Sequence, residues 1–172
     1  MKLTMIKEVA GDILLSDAEL IAHGIATHDH FDSGLALSLR ERWPALVKDY
    51  RHAIHNNPLK PGQIWIWSGV DGDGGTRRIA NLITQEMQGD GKAARPDKAS
   101  LEHVAHALKA LAAHVRSGDI RSVAVPRLAT GVGGLEWHDV EPLIQAHLGD
   151  LGIPVLVYSV FHAGVKADEQ LK

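Results

Sequence analysis

Residues 125–137 read V-P-R-L-A-T-G-V-G-G-L-E-W: the end of an apolar strand, glycines at 131, 133 and 134, and a tryptophan that opens a helix-like stretch. Glycine tolerates positive φ and lets backbone approach a ligand without a Cβ in the way. A helix after such a loop adds unpaired N–H groups and a favourable dipole. The arrangement fits a phosphate or diphosphate, and it fits equally a tight strand-to-helix turn that binds nothing. No G-K-[S/T] follows, which excludes a Walker A loop, and G-V-G-G is not the G-x-G-x-x-G spacing of a dinucleotide site. Spacing alone leaves the ligand open.

Outward from this loop, strand-like apolar segments fall at 2–9, 19–25, 63–67, 78–84, 120–125 and 154–160, separated by stretches of helical period. Leu101, Val104, Leu108, Leu111 and Val115 form one stripe, which predicts a helix over 100–116 that Gly118 stops. A second helix is expected from Ser33, with Leu35, Leu39, Trp43, Leu46, Val47 and Tyr50 on one side and Pro44 bending or interrupting it. A third follows the glycine loop, with Asp139 as N-cap. Residues 70–76 read as a hairpin turn and 88–98 as a polar loop of lid length. Trp65 and Trp67 share one strand face, which suits core packing. Such alternation predicts a sheet with helices on both faces and ligands at the carboxyl ends of its strands, beside the loops 26–33, 85–98 and 129–137.

The chain has 172 residues, 45% of them hydrophobic, enough for one domain with one core; the core is expected over 2–160 and a polar, helical tail over 163–172. No apolar run suggests a membrane span or a signal peptide. There is no cysteine, which excludes thiolate chemistry and disulfides and is in keeping with a cytoplasmic protein. The net charge of −3 argues against general affinity for nucleic acid or membrane, so phosphate recognition has to be local. Eleven histidines are scattered along the chain. His23 reads as a hydrogen-bonded core residue, and His103, His106 and His114 as a solvated helix face.

Four motifs in order carry a resemblance: G-D-I at 11–13, I-A-H-G-I-A at 21–26, the glycine-started helix at Gly34, and P-R-L-A-T-G-V-G-G-L-E-W at 126–137. Together they resemble the macro domain family, and within it the branch with terminal ADP-ribose glycohydrolases and DNA-directed antitoxin macro domains. The resemblance implies a three-layer α/β/α sandwich with a six-stranded mixed sheet, and a binding cleft for ADP-ribose. Asp12 would accept from the adenine amino group and the backbone of Ile13 would meet the ring edge; the plainer reading of Asp12 is a turn aspartate bonding its own backbone. Tyr158, or else Phe161, would cover the adenine face. Thr130, Gly131, Val132 and Gly133 would hold the diphosphate from one side, and Ser33, Gly34 and Leu35 from the other. Ala26 and Thr84 would lie near the distal ribose.

The sequence departs from that branch at Gln85, where the resemblance calls for a lysine. A carboxamide forms no Schiff base and is no general acid, so a lysine-dependent mechanism is not carried over. The remaining acid/base groups for hydrolysis are His28, Asp29, His30 and Asp32, with Glu86 a weaker choice; the alternative is a solvated loop and a domain that reads ADP-ribose without turning it over. Three donors within five residues do not make a zinc site without a second cluster, so no metal and no cofactor is expected. The expected partners are ADP-ribose or an ADP-ribosylated protein or nucleotide.

Overall fold

A computed structural model describes residues 5–70 and 74–171. Its elements are β1 (Ile6–Gly11), β2 (Leu20–Ala26), α1 (Gly34–Arg42), α2 (Pro44–Asn56), β3 (Ile64–Val70), β4 (Thr76–Gln85), β5 (Met87–Gln88), β6 (Arg95–Pro96), α3 (Leu101–Ser117), β7 (Val123–Pro126), α4 (Trp137–Leu148) and β8 (Val155–Phe161), with 3₁₀ turns at Ile13–Leu15 and Gly91–Ala93. The main sheet runs β1-β8-β7-β2-β4-β3; β3 is antiparallel to β4, and the other neighbours are parallel.

The strand period of two assigns the layers. Ile21 and Ile25 of β2, Ile79 and Ile83 of β4 and Leu156 and Tyr158 of β8 face α1 and α2, where Leu39, Leu46, Val47 and Tyr50 complete one core. Leu20, Ala22, Ala80, Leu82, Val123, Val125, Val155 and Val157 face α3 and α4 and complete the other. Both faces are covered, which is why these strands read as unbroken apolar runs. This is the expected three-layer sandwich.

The helices follow their local signals. Ser100 caps α3 by accepting from the His103 amide at 3.1 Å, and Gly118 ends it. Pro44 sits at the first position of α2, where its missing N–H costs nothing, so it separates α1 from α2. Trp43 and Trp67 approach at 6.3 Å, and Tyr50 and Trp65 at 5.5 Å, so the strand tryptophans pack on α2.

Three expectations are corrected. Asp139 is no N-cap: the helix begins at Trp137 with Glu136 as cap, because the glycine loop closes early through Leu135 N–H to the Ala129 carbonyl at 2.9 Å. The strand expected at 120–125 is shorter, and Ile120 turns into the core. Residues 163–171 form no helix; they lie back against β1, with Ala167 and Glu169 buried. The turn at 70–76 does join an antiparallel pair, closing at Val70 opposite Thr76, although residues 71–73 lie outside the described ones.

Candidate functional site

From β2 the chain reaches β4 on one side of the sheet, while β7 flanks β2 on the other. Open α/β sheets place their ligand crevice where the strand order reverses in this way. A cleft of about 240 Å³ lies there, between Gly24 and Ile25 of β2, Gln85 at the end of β4, the glycine loop after β7, and the start of α1. Gly34, Leu35, Pro126 and Arg127 are shared with an apolar cavity of about 550 Å³ over the ends of β1 and β8. Asp29, Ser33, Pro96 and Val132 are shared with a third, polar chamber of about 490 Å³ under the 88–98 loop. The three form one continuous groove along the carboxyl edge of the sheet.

Each glycine of the loop has its own reason. A Cβ on Gly133 would stand 2.6 Å from the Ala129 carbonyl oxygen, so the loop can cross itself only there. Gly134 takes φ +74° and turns the chain into α4. A Cβ on Gly131, which lines the cleft, meets nothing within 4 Å, so the fold itself does not require glycine there. Ala129 takes φ +59° without being glycine, a conformation that stores backbone strain at the cleft wall. The Gly133 carbonyl accepts from Ala99 N–H at 2.9 Å and ties the loop to the approach of α3. Thr130 is turned away from the cleft: its hydroxyl donates to the Arg127 carbonyl at 2.9 Å and braces the loop.

Opposite stands the start of α1. The first helical bond runs from Leu37 N–H to the Ser33 carbonyl at 3.2 Å, which leaves the amides of Gly34, Leu35 and Ala36 without intrahelical partners. Ser33 makes no side-chain cap. These amides and the positive end of the helix dipole face the glycine loop across the groove. An anion there gains about 0.3–1 kcal/mol from the dipole.

The polar end is built by Asp29 and Gln85. Asp29 accepts from the Ala26 amide through Oδ2 and from the Phe31 amide through Oδ1, both at 2.8 Å, and lines both the central cleft and the polar chamber. Ala26 is itself fully buried and shapes the loop through its backbone. Gln85 accepts from the Thr84 hydroxyl at 2.6 Å and donates to the Asp97 carbonyl at 3.0 Å. Thr84 is the extra residue of a bulge where β2 pairing steps from Ile83 to Gln85; it is buried and does not line the cleft. His30 and Asp32 line the polar chamber, and His30 Nε2 is buried without a hydrogen-bond partner. His28, at φ +52°, lines neither the central cleft nor the polar chamber but an adjoining depression beside Arg51 and His55, which Asp29 and His30 also border. Glu86 accepts from Thr27 at 3.2 Å outside the groove.

At the apolar end, Asp12 Oδ1 accepts from Leu14 N–H at 3.0 Å and Oδ2 from Gly164 N–H at 2.9 Å. The plain turn-aspartate geometry is therefore present, and Asp12 also lines the apolar cavity beside Ile13. Tyr158 is buried on the cavity floor with its hydroxyl donated to Glu169, and burial first, then that bond, pushes the phenol up. Phe161 is 69% exposed on the rim. A bulge in β8, where pairing with β1 skips Ser159, separates the two aromatics.

Two wall residues escaped the sequence reading. Arg127, inside the quoted motif, borders both the central cleft and the apolar cavity, and its guanidinium lies 5.5 Å over the Trp137 ring. His23 is the hydrogen-bonded core residue expected, with Nε2 at 2.6 Å from Asn81 Oδ1, yet it also borders the central cleft. Burial holds it below the usual histidine range, and its Nδ1 has no partner among the described residues. Among those residues no group of three or more histidine, cysteine or acidic side chains is arranged to hold a metal, and no helix is long and apolar enough to cross a membrane.

Similarity to known proteins agrees with this architecture. The macro domain family model matches residues 23–144. The chain is 30% identical over 137 residues to a Mycobacterium tuberculosis protein named DNA ADP-ribosyl glycohydrolase, covering 80% of this chain and 37% of that one. It is 28% identical over 159 residues to a Thermus aquaticus protein of the same name, covering 90% and 41%. It thus spans about two fifths of the length of these curated relatives. Among solved structures, the macrodomain of Mycobacterium tuberculosis DarG superposes with a TM-score of 0.73 at 27% identity, over 90% of this chain and 97% of that one. The macrodomain of Thermus aquaticus DarG gives 0.75 at 27% identity, over 90% and 98%. With the six-stranded mixed sheet, the glycine loop facing a helix start, and a family match over most of its length, this chain belongs to the macro domain family.

Proposed function

We propose that this single domain binds ADP-ribose along the groove and hydrolyses its linkage to another molecule. One observation carries the reading: two sets of backbone amides, from the glycine loop and from the start of α1, face each other at the waist that joins an apolar cavity to a polar chamber. Adenosine diphosphate ribose has that polarity order, with an apolar base, a doubly charged middle and a hydroxyl-rich end. Adenine would lie against Ile13 under Phe161, its amino group donating to Asp12, whose oxygens keep lone pairs beyond the two bonds they already accept. The diphosphate would take the amides of Ser33–Leu35 and Gly131–Gly133. The distal ribose would then stand between Gln85 and Asp29, and the attached group in the polar chamber beside His30 and Asp32.

Hydrolysis breaks the C1″–X bond; water delivers hydroxide to C1″ and X leaves with the proton. His30 and Asp32 are the acid/base groups whose side chains border that position, with Asp29 holding their loop through two amides. His28 lines neither the central cleft nor the polar chamber and is assigned no proton transfer. The names of the relatives favour an ADP-ribosyl group on DNA as substrate over an O-acyl ester or a 1″-phosphate. A non-catalytic reader is the second reading, favoured by Gln85, whose carboxamide is engaged at both ends and carries no transferable proton charge.

Turnover of an ADP-ribosylated oligonucleotide, with an ADP-ribosylated protein beside it, separates the two. Release of free ADP-ribose that falls at least 100-fold in Asp32→Asn or His30→Gln, with ADP-ribose affinity kept, supports hydrolysis; binding without release from either substrate supports the reader.

A further inference from the structure

The segment after β8 is built as a latch. His162 N–H donates to the Gly11 carbonyl at 3.1 Å, Asp12 N–H donates to the Val165 carbonyl at 2.7 Å, and Gly164 N–H returns to Asp12 Oδ2 at 2.9 Å. The approach is so close that a Cβ on Gly11 would stand 2.8 Å from the Ala167 nitrogen and the Val165 oxygen. Beyond it Glu169, only 7% exposed, sinks its carboxylate between two other walls. Oε2 accepts from the hydroxyls of Ser16 and Tyr158, and Oε1 accepts from Asp17 N–H at 2.9 Å.

A buried carboxylate with three donors is a strong fixed point, since removing it orphans each donor in a low-dielectric site. Its partners are not arbitrary. Tyr158 floors the apolar cavity, Ser16 closes the 3₁₀ turn that carries Ile13 and Leu14 into the cavity wall, and the 162–169 segment presents Ala163 and holds Asp12. Three separately encoded walls of one cavity therefore meet at one side chain that lies outside the cavity.

We propose that Glu169 is a positioning residue for the adenine end of the groove: it locks the returning segment, the 3₁₀ turn and β8 into the spacing that receives the base. The inference rests on the ADP-ribose reading for the identity of the base, but the coupling itself is a property of the fold. Selectivity for a purine over a bare phosphosugar is then set in part by a residue that never touches the ligand.

The test is Glu169→Ala in the full chain, read in two ways. Hydrogen exchange should quicken at the Asp12 and Gly164 amides at least tenfold, while the Leu135 and Ala99 amides of the glycine loop keep their protection. Affinity for AMP should fall at least tenfold, while ribose 5-phosphate, titrated by NMR, binds as before. Glu169→Gln, which can still bond the two hydroxyls, should recover most of the affinity, and Lys166→Ala, at the exposed ion pair with Asp17, should change neither readout. If Glu169→Ala does not fold, Ser16→Ala removes one bond of the latch and should give the same pattern at smaller amplitude. Unchanged protection at Asp12 and Gly164, or an equal loss for AMP and ribose 5-phosphate, overturns the proposal. A wild-type chain that binds neither ligand overturns the ADP-ribose reading, and the exchange pattern alone then decides the role of Glu169.

Discussion

Gln85 Nε2 donates to the Asp97 carbonyl at 3.0 Å, so the end of β4 is tied to the loop that roofs the polar chamber. Its Oε1 is held at the same time by the Thr84 hydroxyl at 2.6 Å. Gln85→Ala should therefore loosen residues 86–98, visible as faster hydrogen exchange, and cost about 1–3 kcal/mol for the polar groups left unpaired. A side chain that holds a loop moves no proton, so the pH–rate profile should keep its shape even if the rate falls. Loss of one limb of that profile would show that Gln85 takes part in the chemistry.

Gly131 and Gly133 should separate binding from folding. A side chain at Gly131 enters open groove, so Gly131→Val should leave stability within about 0.5 kcal/mol and abolish ADP-ribose binding. Gly133→Val drives a Cβ onto the Ala129 carbonyl and should lower the unfolding free energy by about 1–3 kcal/mol as well as binding. Thermal melts with and without ligand distinguish them; equal stability loss in both variants would contradict the loop geometry.

Phe161 is exposed on the rim and holds no core contact of weight, whereas an aromatic over a base is worth about 1–3 kcal/mol in stacked nucleotide sites. Phe161→Ala should weaken AMP and ADP-ribose by the same factor of about tenfold and leave the melting temperature in place. Unaltered affinity for both would remove Phe161 from the site.

His23 makes stability depend on pH. Burial depresses its pKa below 6.5 in the folded chain, so between that value and 6.5 the unfolded chain binds a proton that the folded chain does not. Stability is then full above 6.5 and falls as the pH drops below it. His23→Gln, which can still donate to Asn81, should flatten the change in denaturation midpoint between about pH 7.5 and 5. Parallel curves for the two proteins would contradict the assignment.

The layers could be read from the sequence because the helices show a 3.6-residue stripe, as from Leu101 to Val115, while strands such as β2 are short apolar runs covered on both faces. The pair of loops that faces across the central cleft was readable for a similar reason: glycine clusters and a helix start are local signals. What escaped was set partly by side-chain bonds inside a loop and partly by contacts distant in the chain. Nothing near His28 announces that Asp29 bonds the Ala26 and Phe31 amides and lines the central cleft, while His28 lines only the adjoining depression. Tyr158 and Phe161 are three residues apart, so a period of two puts them on opposite faces, and only the bulge at Ser159 lets both line one cavity, Tyr158 buried and Phe161 exposed. The polar composition of 163–172 suggested a solvated helix, whereas Glu169 finds donors more than 150 residues away in sequence, at Ser16 and Asp17.

The most direct measurement is calorimetric titration with ADP-ribose, with ADP and AMP in parallel. A groove that takes base, diphosphate and distal ribose together should bind ADP-ribose at micromolar concentration or tighter and ADP at least tenfold more weakly, because only the former reaches Gln85 and Asp29. No binding of ADP-ribose at millimolar concentration would contradict both the hydrolase and the reader, and would leave the glycine loop as a turn between β7 and α4.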